Sequence, residues 1–527
     1  MQEQEVAPDA AGLEPSTSGV AEPSAPPFSP ATPSPSGSNG DTLRKMGPPA
    51  GKSTFSRAAL PVTVGTIMGL ALPTVFEQLL SAAIGFTDTI VAGHTGGDEI
   101  TRGAAAGAVG AMTYLQWFAG LMTSALGVGA TAIVARSIGA RKPRMASRVA
   151  GTACAAAFLV GIFVAILFYA GAWPLVWMLG LRDQAASLGV DYLRIMCWTV
   201  CLQTAGQIGM ACLRGSGDTI RPLVVTCVVT LVNCFFSPAL TFGWFGMPAW
   251  GVKGNATGTL LAFFLAGLLT FAFLISGNAG LKLRLTHFKI IPHLLMRVVR
   301  IGLPSWVEGI ILWGGQAVVV TLVMKQVDDA VRAAAGSALN AASGMTMAAH
   351  SATLRIESLA FLPGYGFGIA CSALVGQYLG AKKPDEAERA TRLCNRLALV
   401  TMTTAALPMI FAPHWMLSHM VDSAPVVQLG IIPLILAGLA QPPFAISIIK
   451  SSALKGAGDT RSPLWASLVG MGGRVVVVLT AMAFLARSGH AAWGLVVVWI
   501  CIFLDLTWRA VFLRVVFRRG KWKQVKV

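Results

Sequence analysis

Two carboxylates, Glu77 and Asp88, stand in the first long apolar stretch of the chain. At about 100° per residue, the turn between them brings both to one face of a helix, roughly 16 Å apart along its axis. Charge at membrane depth is costly, so a carboxylate held there is a candidate for carrying an ion. Glu77 falls deep in the stretch and Asp88 about a turn from its end. Two further acids occupy comparable positions in the second half of the chain. Glu308 repeats Glu77, and Glu357 lies mid-way along the eighth apolar stretch, where the first half has Gln116. Glu308, Glu357 and Gln116 are expected to face a cargo cavity. Trp117, Trp306, Trp313 and Tyr365 offer faces on which a flat cation could stack, although intramembrane aromatics more often pack. Arg355 is two residues from Glu357, on a different helix face, and Arg474 stands where the first half has Asn233. Both arginines are expected to serve as structural charge partners.

Other chemistries find little support. The string Gly47-Pro48-Pro49-Ala50-Gly51-Lys52-Ser53 is one residue short of a phosphate-binding loop and contains two prolines, with no strand before it. The nine cysteines show no metal spacing, and most sit in apolar runs as small core residues. No cofactor and no metal are expected. His94, His350, His414 and His490 are too scattered for a membrane enzyme.

The elements that must hold these residues are apolar helices. Of 527 residues, 54% are hydrophobic and 12% charged, about half the charge of a soluble domain. Twelve apolar segments follow one another between about residues 65 and 516. Each is long enough to cross about 30 Å of hydrocarbon as a helix and too continuous for a barrel strand. The expected fold is an all-α polytopic membrane protein. Residues 1–58 are rich in Pro and Ser and poor in large apolar side chains, which predicts a disordered cytoplasmic tail.

The net charge of +17 resides in clusters between spans rather than in a nucleic-acid-binding face. Arg136, Arg141, Lys142, Arg144 and Arg148 follow the second span, Lys282, Arg284 and Lys289 the sixth, and Lys382, Lys383 and Arg389 the eighth. Intervening loops are mixed or acidic, and the C-terminus is basic, so both termini are expected in the cytoplasm.

The halves repeat. Gly139-Ala-Arg-Lys-Pro143 returns as Gly380-Ala-Lys-Lys-Pro384, and 380 − 139 = 241. Leu213-Arg-Gly-Ser-Gly-Asp-Thr219 returns as Leu454-Lys-Gly-Ala-Gly-Asp-Thr460 at the same offset, while Leu72-Pro73 and Glu77 return as Leu303-Pro304 and Glu308. Six spans per repeat bring the chain back to the same side, so the repeats are parallel, with a pseudo-two-fold axis along the membrane normal. Residues 59–280 form one expected lobe and 281–527 the other.

With Asp88-Thr89-Ile90-Val91-Ala92-Gly93, Arg355-Ile-Glu-Ser358, Pro363-Gly364 and Val375-Gly376-Gln377, these motifs make the chain from about residue 66 to 515 resemble the multidrug and toxic compound extrusion family. The resemblance implies twelve spans in two lobes in a bacterial inner membrane. It also implies antiport of drug-like, often cationic compounds against H+ or Na+ by alternating access. Asp88 matches the first-span aspartate used in ion coupling, Asn233 the fifth-span Asn beside it, and Glu77 is expected to share that role. Two departures leave the coupling ion open. Ser237 stands where many members have a second Asp, and the tenth span has no acid. The nearest alternative is a flippase for lipid-linked saccharides of the same superfamily. Expected partners are small organic substrates and the bilayer, with a monomer as the functional unit.

Overall fold

A computed structural model describes residues 61–95, 99–179, 181–277, 281–335, 345–421, 423–488 and 493–525. The expected tail at 1–58 lies outside the described residues, as do the side chain of Trp117 and all of His490. Among the described residues there are fourteen α-helices and no strand. The first seven are α1 (Val64–Gly93), α2 (Glu99–Gly139), α3 (Pro143–Ala170), α4 (Ala172–Met178), α5 (Asp183–Ser216), α6 (Ile220–Phe242) and α7 (Val252–Ser276). The second seven are α8 (Pro292–Ala335), α9 (Met345–Gly380), α10 (Pro384–Phe411), α11 (Pro413–Ser418), α12 (Ala424–Ala457), α13 (Arg461–Arg487) and α14 (Gly494–Arg518). Eleven are long and apolar enough, among the described residues, to cross a membrane. The remaining long helix, α8, carries the seventh span, giving twelve membrane helices in two lobes.

Helix boundaries follow the repeat. The helices α3 and α10 start at Pro143 and Pro384 and end at Ala170 and Phe411, so both pairs of ends are one repeat apart, 384 − 143 = 411 − 170 = 241. Proline suits the first helical position because its missing N–H would have no intrahelical partner there. Short α4 and α11 also correspond. Both α5 and α12 end on left-handed glycines, Gly217 at φ 92° and Gly458 at φ 91°, which close the last turn without a Cβ clash. The turns after α2 and α9 each use a non-glycine in that region, Arg141 at φ 57° and Lys382 at φ 59°.

The lobes meet along the side that carries the basic loops. A methyl group at Gly139 would overlap the carbonyl oxygen of Gln377, and one at Gly380 that of Arg136. The repeated Gly-Ala-basic-Lys-Pro motif is therefore a two-fold contact in which each lobe's glycine admits the other's backbone. Gln377 Nε2 donates to the Gly215 carbonyl at 3.0 Å, and Thr74 Oγ1 donates to the Gly366 carbonyl at 2.9 Å. The C-terminal segment joins the seam. Trp522, 1% exposed, stacks on Phe517 with centroids 4.7 Å apart, Lys523 bonds Glu388 at 2.8 Å, and Arg136 Nη1 donates to the Val525 carbonyl at 2.7 Å.

Candidate functional site

Above this seam lies a cavity of about 690 Å³. Its wall runs from Asp88, Gln116 and Tyr192 at one end to Glu77, Arg214 and Lys455 at the other, with Tyr365 contributed by the second lobe. Two of the four residues expected around cargo, Gln116 and Tyr365, are in this wall. Glu308 and Glu357 are not among the residues that line it, which corrects that expectation. Trp306 and Trp313 are also absent from its lining.

Asp88 is 8% exposed. Asn233 Nδ2 on α6 donates to its Oδ1 at 3.0 Å, and Thr259 Oγ1 on α7 lies 3.1 Å from each carboxylate oxygen. Asn255 Nδ2 donates to the Asp88 backbone carbonyl at 3.1 Å, while Asn233 also reaches Ser237 Oγ at 3.1 Å. Every one of these partners is neutral. Among the described residues no Lys, Arg or His makes an ion pair with Asp88. Hydrogen bonds to an ionised group are worth about 1.5–3 kcal/mol each, but dipoles alone leave net charge uncompensated. An ionised Asp88 would therefore carry a charge that no resident cation among the described residues matches. Asn233 Oδ1 and Asn255 Oδ1 are buried without a hydrogen-bond partner, so further oxygens are available beside the carboxylate.

Asn255 and Thr259 were not singled out from the sequence. The available signal was two polar residues one helical turn apart in the apolar run of α7, placing both on one face. Which face α7 presents to α1 is a tertiary fact.

Glu77 differs from Asp88. Arg214 Nη1 at the end of α5 meets its Oε1 at 2.5 Å. Glu308 meets Lys455 Nζ at 2.9 Å and accepts from Ser467 Oγ at 3.2 Å. Arg214 and Lys455 hold equivalent places in the repeated Leu-basic-Gly turns, as Glu77 and Glu308 do after the repeated Leu-Pro. Each lobe thus contains the same fixed ion pair. Glu77, expected to share the coupling role, therefore stands in the cavity wall with its charge already matched by a resident cation.

Among the described residues the second lobe shows no counterpart of the Asp88 site. Arg474 occupies the position of Asn233, donates to Gln316 Oε1 at 2.5 Å and lies 3.8 Å from Asp505, which Arg509 grips at 2.7 and 2.5 Å. Glu357, 5% exposed, accepts from Gln441 Nε2 at 3.3 Å. Arg355 is exposed and makes no ion pair among the described residues. Its expected part as a charge partner is not seen among the described residues, where the side chain is exposed.

The MatE family model matches the chain twice, over residues 73–239 and 337–480, once in each lobe. The chain belongs to the MatE family. MatE proteins are transporters, and this chain is a multi-pass membrane transporter, not an enzyme. It is 24% identical over 475 residues to the probable multidrug resistance protein NorM of Thermotoga maritima, covering 90% of this chain and 96% of that one. The probable NorM of Burkholderia pseudomallei is 27% identical over 460 residues, with 84% and 91% covered. Among solved folds, a MATE protein in complex with MaL6 superposes with a TM-score of 0.75 at 20% identity, over 90% of this chain and all of that one (100%). The VcmN MATE transporter of Vibrio cholerae, solved as a mutant, gives 0.73 at 16% identity over 88% and 98%. These MatE structures share the arrangement of twelve membrane helices in two lobes.

Proposed function

We propose that this MatE protein exports drug-like, often cationic organic compounds in exchange for H+ or Na+ by alternating access, from a bacterial inner membrane with both termini in the cytoplasm. The observation that carries the reading is Asp88, a buried carboxylate in the cavity wall held only by neutral donors. The similar chains named as multidrug resistance proteins support the choice of cargo.

The site supplies one negative charge for which two kinds of cation compete. When Asp88 is ionised, its charge attracts a cationic cargo into the cavity and disfavours closure around an unpaired anion. A proton or Na+ on the carboxylate removes both the attraction and the cost, so cargo leaves and the cavity closes. With the basic loops in the cytoplasm, the closed seam at Gly139 and Gly380 is the cytoplasmic one and the cavity belongs to the outward-facing state. The return stroke separates that seam. The fixed pairs Glu77–Arg214 and Glu308–Lys455 each lie within one lobe, so they travel with it.

The flippase reading requires a cavity that favours a pyrophosphate. Here Arg214 and Lys455 are opposed by Glu77 and Glu308, and Asp88 adds an uncompensated negative charge. Proteoliposomes loaded with a fluorescent organic cation test the proposal. Efflux driven by an imposed inward proton or sodium gradient supports antiport and names the ion. Failure under both gradients overturns the reading.

A further inference from the structure

A second cavity of about 380 Å³ opens at the lobe seam, on the side of the basic loops. Its lining contains four cationic side chains and no acidic one. Arg136 comes from the last turn of α2 and Lys142 from the position capping α3. Arg297 comes from the start of α8 and Lys382 from the turn after α9. Two cations belong to each lobe, and the buried Ser137 adds a hydroxyl to the same wall.

This placement follows from the repeat. The turns after α2 and α9 are brought together by Gly139 and Gly380, and each turn carries a basic pair, Arg141-Lys142 and Lys382-Lys383. Close packing of the glycines thus draws like charges toward one recess. Lys142 and Lys382, one from each lobe, face this recess, and an anion there relieves their repulsion and touches both lobes at once.

The occupant follows from depth. All four cations lie at or just beyond the ends of membrane helices, where phospholipid headgroups sit. Basic pockets between membrane helices on the cytoplasmic side suit lipid phosphate. We propose that this cavity binds the phosphate of an anionic phospholipid, which bridges the two lobes and stabilises the closed seam. The site is separate from the cargo cavity and does not depend on the cargo or the coupling ion.

Native mass spectrometry of the full chain, titrated with phosphatidylglycerol and with phosphatidylcholine, tests this. The wild type is expected to retain phosphatidylglycerol preferentially. The double variant Lys142→Gln/Lys382→Gln is expected to bind it about thirty-fold more weakly, from about five-fold per lysine at a membrane surface. Arg389→Gln/Arg396→Gln removes the same charge from exposed positions outside the cavity and is expected to leave the preference intact. Equal retention of the two lipids, or equal losses in both double variants, overturns the proposal. Inorganic phosphate provides a third arm. If it raises the unfolding temperature of the wild type but not of the lysine variant, while no lipid preference exists, the cavity belongs to a free anion and the lipid assignment fails.

Discussion

Asn233 and Asp88 are 145 residues apart in the chain, yet Asn233 Nδ2 donates to Asp88 Oδ1 at 3.0 Å inside the first lobe. The bond fixes one carboxylate oxygen without neutralising it, and Thr259 Oγ1, 3.1 Å from each oxygen, adds a second neutral donor. Removal of either donor takes away about 1.5–3 kcal/mol of support for the ionised form. Asn233→Leu and Thr259→Val are each expected to slow gradient-driven efflux roughly tenfold or more, by the same margin. Initial rates in proteoliposomes, normalised to reconstituted protein, provide the check.

The pair Glu77–Arg214 predicts stability rather than coupling. Both side chains are largely buried, at 5% and 17% exposure, so Glu77→Gln leaves a cation without its partner. Full burial would make that loss 3–5 kcal/mol, and partial exposure reduces it to about 1–3. A lower thermal midpoint in detergent is expected for Glu77→Gln and for Arg214→Gln. The double variant Glu77→Gln/Arg214→Gln should be less destabilised than the two losses added together. Strict additivity would show that the two side chains do not interact.

At the seam, Gly139→Ala places a methyl group against the Gln377 carbonyl. The expected result is separation of the lobes on the basic side with each lobe's own fold kept. Spin labels at the exposed positions Arg144 and Asp385 should report a longer distance in the variant, together with reduced transport. An unchanged distance would show that the backbone absorbs the methyl group locally.

The C-terminal segment is held by packing and charge together. Trp522→Ala empties a fully buried site and is expected to cost about 3 kcal/mol or more, read as a fall in unfolding temperature. The hydrogen bond from Lys523 to Glu388, with the charge of that carboxylate, holds the Lys523 amine above the usual lysine range. Its contribution is therefore complete below the ordinary lysine value and lost only as pH rises through the raised one. Thermal melts between pH 6 and pH 9 should accordingly show no loss from this contact.

Much of the architecture was legible in the sequence because hydrophobic length and a fixed repeat offset are one-dimensional signals. The apolar runs marked the spans, and the Gly-Ala-basic-Lys-Pro and Leu-basic-Gly motifs marked the two lobes. The motifs also contained the Glu77–Arg214 and Glu308–Lys455 pairs, since both members repeat. That they meet depends on how α1 lies against α5 and α8 against α12, and no periodicity states it. Glu77 therefore looked like an uncompensated charge at depth, although a resident arginine matches it. Asn255 and Thr259 were hidden for a related reason. A single polar face on an apolar helix gives no direction until its neighbour is placed. Arg355 was placed off the face of Glu357 by the helix period and expected to find its charge partner elsewhere, which a one-dimensional pattern does not locate.

The central claim rests on the charge of Asp88, and Asp88→Asn removes that charge while keeping the side chain's size. Efflux of a fluorescent organic cation from proteoliposomes, wild type beside Asp88→Asn under the gradient that drives the wild type, measures it directly. The account predicts that the variant folds with an equal or higher unfolding temperature and loses gradient-driven efflux. Undiminished gradient-driven efflux by a folded Asp88→Asn protein would contradict it.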